Sequence, residues 1–283
     1  MKKNWAERIG FILLSSAAVL VILFLGIIIW DIFSKGAGVI SWQFLTQAPR
    51  EAMTEGGIFP AILGTFLVSL ITVLFAVPLG MFAAIYLNEY AVPGRMTRLI
   101  RLAIRNLSGV PSIVYGLFGV VLFVQMMKLG TSVLSAGLTL GLLTLPWTIT
   151  ASEEALKTVP KSYREGALAL GATKWYAIRT NVLPYAIPGM LTGVILGLAR
   201  AAGETAPILF TGAAFFLPHL PKSLFDQFMA LPYHLYILAT QHHDIVKVRP
   251  IAYGTALVLL CLILLLSTSA IYFRYRYRQR MRS

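Results

Sequence analysis

An all-α integral membrane protein with six transmembrane helices and both termini cytoplasmic is what this sequence predicts, and three observations carry that reading. Hydrophobic residues make up 58% of the 283 residues and charged residues 12%, with a mean hydropathy of +0.77. So little polar material cannot cover a soluble globule of this size. Runs without Asp, Glu, Lys or Arg occur at residues 9–30, 59–87, 107–127, 129–152 and 250–273. At a rise of about 1.5 Å per residue, each is long enough for a hydrocarbon core of roughly 30 Å. Finally, the basic residues alternate in density along the chain as a membrane protein's loops do.

The first span, 9–30, follows Lys2, Lys3 and Arg8. Its 22 residues exceed the roughly 7 to 15 of a secretory h-region, and no small-x-small cleavage pattern follows, so a retained helix is expected. A glycine-bearing external loop, 31–58, leads to the second span, 59–87. Next comes "NEYAVPGRMTRLIRLAIRN", in which Arg95, Arg98, Arg101 and Arg105 recur every three or four residues opposite Leu99, Leu102 and Ile104. This spacing predicts an amphipathic helix at the inner interface. The third span (107–127) and fourth (131–152) are parted only by Lys128 and its neighbours, which predicts a tight hairpin turning outward.

The fifth span, 185–210, qualifies only if Arg200 and Glu204 are tolerated inside it. An external loop, 211–249, follows, where Leu224, Phe225, Phe228 and Met229 at helical spacing predict a short surface helix. His242, His243 and Asp244 are adjacent on one loop and make no closed tetrahedral set, so they read as solvated side chains, and no metal site is expected. The sixth span is 250–273, with the lone Cys261 expected as a small buried thiol.

Charge distribution fixes the orientation. With the amino terminus inside, the inner segments hold 17 of the 24 basic residues and the outer segments 6, Arg200 being the remaining one. That is the positive-inside pattern. The net charge of +13 therefore reports topology and contact with an anionic lipid bilayer, and no nucleic-acid partner is expected.

The inner loop 153–184 carries "EEALKTVPKSYREGALALGATKWYAIRTNVLP". Pro160 stops the preceding helix, and Ser162-x-x-Glu165 has the capping-box spacing. Gly171 stands where a left-handed C-cap is wanted, and Thr173 can cap a second helix reaching Pro184. A helix pair over 162–184 is expected, with Ala167, Leu168 and Leu170 free to enter a groove on a partner. In the following span Gly189, Gly193, Gly197, Ala201 and Thr205 recur every four residues, a ribbon that lets another helix approach closely. Arg200 and Glu204 stand one residue before ribbon members, at its edge and near mid-membrane. A charge there costs at least about 2.5 to 3.5 kcal/mol, which makes a functional or paired role the expectation.

The residues Glu165, Ala167, Gly171, Leu183 and Pro184 match the pattern E-A-A, three residues, G, nine residues, I-x-L-P. Gly166 and Asn181 depart from it. The chain thereby resembles the binding-protein-dependent ABC importer permeases, which implies a single permease domain of the type I importer fold whose inner loop inserts into a cleft of an ATPase subunit. Three further stretches, "GGIFPAILGTFLVS" (56–69), "SGVPSIVYGLFG" (108–119) and "LARAAGETAPILFTG" (198–212), resemble the phosphate importer permeases, specifically the PstA type.

The resemblance implies inorganic phosphate as substrate and a bacterial or archaeal cytoplasmic membrane. It implies as partners a second six-span permease (PstC-type), ATPase subunits (PstB-type) and an external phosphate-binding protein (PstS-type). The chain has no Gly-Lys dipeptide and no G-x-x-x-x-G-K-[ST], so it is not expected to be an enzyme or to hold a cofactor. ATP and Mg would be used by the partner ATPase.

A guanidinium suits a phosphate oxyanion through paired hydrogen bonds, so Arg200 and Glu204 are expected to line the passage. Ser108, Ser112, Tyr115 and Thr205 could add hydroxyl donors, their alternative being ordinary packing. Other readings are a permease for sulfate or molybdate, a gradient-driven transporter, which would want relay carboxylates in more than one span, and a membrane enzyme, for which no acid pair, nucleophile or metal set stands in the spans.

Overall fold

The computed structural model describes residues 5–217 and 219–280; Lys2, Lys3 and Arg282, counted in the charge pattern above, lie outside them. Helix α1 (Trp5–Gly36) is exposed along almost its whole length. Only its far end is tied down, where Gly36 lies against the Tyr253 backbone so closely that a Cβ would stand 2.6 Å from that carbonyl oxygen. After α2 (Trp42–Thr46), capped by Ser41 Oγ accepting from the Phe44 N–H at 3.1 Å, strands β1 (Pro49–Arg50) and β2 (Glu55–Gly56) form a minimal hairpin.

Between these strands Glu51, Ala52 and Met53 all take positive φ, at 46°, 52° and 74°, a conformation that costs non-glycine residues free energy. Burial of Met53 in an apolar cluster with Ile237, Leu238 and Val248 holds the turn in place. So does His242, whose Nε2 lies 2.8 Å from the Ala52 carbonyl oxygen. Nδ1 of the same ring accepts from the Asp244 N–H at 3.1 Å, which puts the proton on Nε2. His242 is therefore a buried clamp and not the solvated side chain expected from its loop context.

The bundle proper begins with α3 (Phe59–Ile85), extended by a π-helical turn at Tyr86–Tyr90. The amphipathic helix α4 (Arg95–Leu107) then lies at 104° to the third crossing, α5 (Ser112–Gly119) with its π-helical continuation Val120–Met126. The expected span 107–127 thus starts five residues late. Pro111 disfavours helical geometry at Val110, and the chain turns there.

Helix α6 (Val133–Lys157) is followed by α7 (Ser162–Ala169), α8 (Lys174–Ala177), a π-helical turn at Ile178–Val182 and α9 (Leu183–Ala202). The span expected at 185–210 is broken after Ala202, and a separate α10 (Ala206–Thr211) resumes it. Gly203 caps α9, and Pro207 has no N–H to return to the Gly203 carbonyl, so the ladder is weakest there. Finally come α11 (Leu231–Thr240) and α12 (Ile245–Arg280), the latter longer than the apolar run 250–273 at both ends. Among the described residues five helices are long and apolar enough to cross a bilayer, and the bent α4/α5 pair makes six when it is counted as one span.

The surface helix expected at 224–229 is absent. Asp226 Oδ2 accepts from the N–H groups of Lys222 (2.8 Å) and Ser223 (2.9 Å), which makes a turn. Phe228 and Met229 go into the core, and the helix starts only at Leu231, whose N–H donates to Thr65 Oγ1 at 2.8 Å. Cys261, expected buried, is exposed on α12.

The core is the packing of α6 between α3 and α9. The buried face of α6 is small and hydroxylic, with Ser135, Gly137, Thr139, Gly141, Thr144, Thr148 and Ser152. Threonine hydroxyls return to carbonyls four residues back, as Thr139 does to Ser135 at 2.7 Å and Thr148 to Thr144 at 3.1 Å. Those donors are satisfied within the helix and leave a narrow, effectively apolar surface.

The glycine ribbon of α9 meets that surface, Gly189 facing Ala155, Gly193 facing Ala151 and Gly197 facing Thr148 and Thr144. A Cβ on Gly193 would overlap that of Ala151, whereas one on Gly197 would find its nearest atom at 3.8 Å. Gly193→Ala is therefore expected to destabilise the bundle by about 1 to 3 kcal/mol, while Gly197→Ala is neutral. Equal thermal unfolding midpoints for the two variants in detergent would overturn this.

Side-chain contacts sort the loops into two ends. One gathers residues 87–105, 153–184 and 274–278, through Arg164 with Glu89, Arg101 with Leu87 and Glu153, Lys174 over the Tyr90 ring, and a groove that Pro184 shares with Arg274 and Arg278. The other gathers 31–58, 128–133 and 211–249, through the Val133 N–H on the Asp226 carbonyl and Gln227 on Thr131.

Candidate transport site and coupling surface

Arg200 sits in the last turn of α9 and Glu204 in the unwound segment beyond it, held by the Glu204 N–H donating to the Ala201 carbonyl at 3.2 Å. The two are not stacked on one face of a continuous helix. They flank its end, with Nε of Arg200 3.4 Å from Oε1 of Glu204. The side chain of Arg200 is 44% exposed and that of Glu204 18%, so the pair faces two ways. Glu204 borders a cavity of about 10 Å³ that Thr65 and Ser69 of α3 also line, room for a single water. The Arg200 guanidinium lies 5.3 Å from the centroid of the Trp147 ring on α6 and opens away from the bundle.

A planar cation resting on an aromatic face keeps its N–H fork free for an anion approaching from the open side. Its attraction to Glu204 stays partial at this distance and exposure. The arrangement suits a transient oxyanion contact. Trp147 gave no sign in the sequence beyond its position in an apolar run.

The four hydroxyl candidates are distributed around the two breaks. Tyr115, buried on α5, donates to the Leu107 carbonyl at 2.9 Å and so ties the α4/α5 bend. Ser108 follows the last residue of α4, Ser112 opens α5 and Thr205 precedes α10. Among the described residues none of the four hydrogen-bonds to Arg200 or Glu204. Gly116 allows α10 to lie directly on α5, since a Cβ there would meet Pro207 Cα at 3.0 Å.

In the inner loop, Gly171 has φ +81°, and a Cβ added there would meet no atom within 4 Å, so its glycine serves backbone conformation alone. Thr173 Oγ1 accepts from the Tyr176 N–H at 3.3 Å and caps α8. The capping box does not form. Ser162 is already the first helical residue, and the N–H groups of Arg164 and Glu165 go to the Lys161 carbonyl, leaving Ser162 and Glu165 exposed with Gly166. Ala167 is buried inside the chain, whereas Leu168 and Leu170 are 47% and 89% exposed. The outward apolar surface is thus the two leucines without the alanine. Leu183 and Pro184 begin α9, and the π-helical turn merges α8 with it.

What holds this loop in place was missed in the sequence. The Arg164 guanidinium clamps Glu89 with Nη2–Oε1 at 2.6 Å and Nε–Oε2 at 3.0 Å, and also donates to the carbonyls of Leu156 and Val159. Arg101 of α4 pairs with the buried Glu153 at 2.9 Å. Tyr163, its phenol pushed up by the neighbouring Tyr185 hydroxyl, packs edge-on to the Tyr185 ring at 4.6 Å between centroids.

The family described as "Binding-protein-dependent transport system inner membrane component" matches residues 76–283, a stretch that includes the inner loop, the α9 break and Arg200. The chain belongs to that family. Among relatives of this permease, the "Probable ABC transporter permease protein YqgI" of Bacillus subtilis is 35% identical over 256 residues, covering 86% of this chain and 85% of the other. The "Probable phosphate transport system permease protein PstA" of Methanocaldococcus jannaschii is 33% identical over 257 residues, covering 90% and 88%.

In three dimensions the permease is similar to a chain of a bacterial ABC transporter that imports the acidic polysaccharide alginate, with TM-score 0.69, 14% identity and 96% of each chain covered. It is also similar to one from the MetNI methionine ABC transporter in an inward-facing conformation, with TM-score 0.59, 16% identity and 78% and 94% covered. The permease thus has the type I ABC importer fold and is a multi-pass membrane protein.

Proposed function

We propose that this permease is one membrane-spanning half of an ATP-driven importer that moves inorganic phosphate across the cytoplasmic membrane. Its partners would be a PstC-type second permease, PstB-type ATPase subunits at the inner face and a PstS-type binding protein outside. The observation that carries the reading is the Arg200 guanidinium at a helix break, stacked on Trp147, half-exposed and only partly offset by Glu204. Its outward aspect supports a passage along the surface of this chain, between it and the second permease.

Phosphate near neutral pH keeps at least one O–H that Glu204 can accept, whereas sulfate has none to offer, and that mismatch is the kind that rejects a wrong substrate. PstA-type relatives support phosphate over other oxyanions. The fold itself is shared with a methionine and an alginate transporter, so it does not choose. Leu168 and Leu170, beside the cap made by Gly171, are the surface offered to the ATPase, and the basic end of the bundle is the inner one.

The test is uptake by the four-component complex in proteoliposomes. ATP-dependent accumulation of labelled phosphate, uncompeted by sulfate or molybdate, is the expected result, and equal transport of either competitor would overturn the assignment. Cysteines introduced singly over 157–179 should react with an impermeant reagent only from the cytoplasmic side. Reaction from outside intact cells would reverse the orientation.

A further inference from the structure

At the basic end, α9 and α12 diverge and leave a groove of about 800 Å³. Arg274 lines it, with Nη1 donating to Thr192 Oγ1 at 2.8 Å, and that hydroxyl in turn donates to the Pro188 carbonyl at 3.1 Å. The guanidinium is thereby fixed with most of its fork unused. Arg278 follows one turn later on the same face and lines the same groove. Among the described residues neither arginine has a carboxylate partner. Two like charges at this spacing repel, and the arrangement calls for an anion between them.

Size and walls say which kind. The groove is far larger than any inorganic oxyanion needs, and its walls beside the arginines are apolar, with Pro188 and Gly189 on α9 and Ile271 on α12, one turn from Arg274 toward the middle of the bundle. Tyr185, Tyr272 and Tyr275 rim it and are all about half-exposed, the placement aromatic side chains take at a membrane–water boundary. Two cations set between apolar walls at the level of headgroups match an amphiphile with a negatively charged head.

We propose that this groove binds an anionic phospholipid, its phosphodiester held between Arg274 and Arg278 beside Pro188 and Gly189, and its first acyl methylenes lying along Ile271. The inference goes beyond phosphate transport and does not depend on it. A lipid seated there would brace α12 against the rod that leads from the inner loop to Arg200.

Native mass spectrometry of the assembled transporter, after exchange into phosphatidylcholine vesicles with or without phosphatidylglycerol, tests the proposal. Retention of phosphatidylglycerol over phosphatidylcholine is expected. The double variant Arg274→Gln/Arg278→Gln should lower it about thirtyfold, and Arg274→Lys/Arg278→Lys should keep most of it. Undiminished retention in the glutamine variant overturns the site. Displacement of the lipid by inorganic phosphate would make it a free-anion site and overturn the lipid assignment.

Photoreactive phosphatidylglycerol on the unsubstituted complex decides the matter even if the glutamine variant does not assemble. Labelling should fall within residues 185–192 and 271–278. Labelling elsewhere, or a cross-link from Tyr275→Cys to the second permease, would overturn the proposal.

Discussion

Arg200→Gln is expected to insert, assemble and retain stimulated ATP hydrolysis while lowering phosphate uptake by about two orders of magnitude. A paired hydrogen bond between a guanidinium and an oxyanion is stronger than a neutral one, with each charged bond contributing about 1.5 to 3 kcal/mol. Gln offers one weak donor pair in its place. It also leaves Glu204 uncompensated beside its small cavity, so the site turns from attracting anions to repelling them. Arg200→Lys should recover part of the rate, because the charge persists while the planar fork over Trp147 is lost. Radiolabelled uptake by reconstituted complexes, normalised to assembled protein, is the measurement. A wild-type rate in the Gln variant would make the residue structural and remove the main support for an oxyanion substrate.

The second large effect is expected far from the substrate. Glu89→Ala should detach the inner loop from the end of α3, at a cost near the lower end of the roughly 3 to 5 kcal/mol for breaking a buried ion pair. The lower end applies because Arg164 keeps the carbonyls of Leu156 and Val159 as acceptors. Faster proteolysis between residues 157 and 179 and ATP hydrolysis uncoupled from uptake are the readouts. A double-mutant cycle with Arg164→Ala separates the pair from the carbonyl contacts. A coupling energy near zero would show that the clamp is incidental.

How much of this could be read in advance depends on the range over which each feature is determined. The crossings were visible because a bilayer demands about twenty uncharged residues in a row, and residues 9–30 or 59–87 meet that demand locally. Gly171 was visible because a left-handed cap is a property of one residue and its neighbours. The ribbon of Gly189, Gly193 and Gly197 announced a close helix without saying that Ala151 and Ala155 would be its partner.

The break after Ala202 was written in Gly203 and Pro207 but was outweighed by the apolar residues around it. The Glu89–Arg164 clamp joins residues 75 positions apart, and nothing in either neighbourhood points to the other. The folded 211–249 segment escaped for the same reason. Its burial of Phe228, Met229 and Leu231 depends on Thr65 and the rest of α3, whereas its own spacing suggested a helix on the surface. Trp147 becomes meaningful only once Arg200 is seen above it.

From Lys174 to Ala202 the backbone runs helically without interruption for 29 residues, roughly 44 Å end to end. A member of that length behaves as a see-saw. A tilt of roughly 10° about its midpoint carries each end about 4 Å, in opposite senses. Gly171 and the exposed leucines stand next to one end and Arg200 near the other, so such a tilt would move both. The slack at residues 203–205 then limits how far that motion spreads, for α10 can remain seated on α5 while Arg200 swings past it.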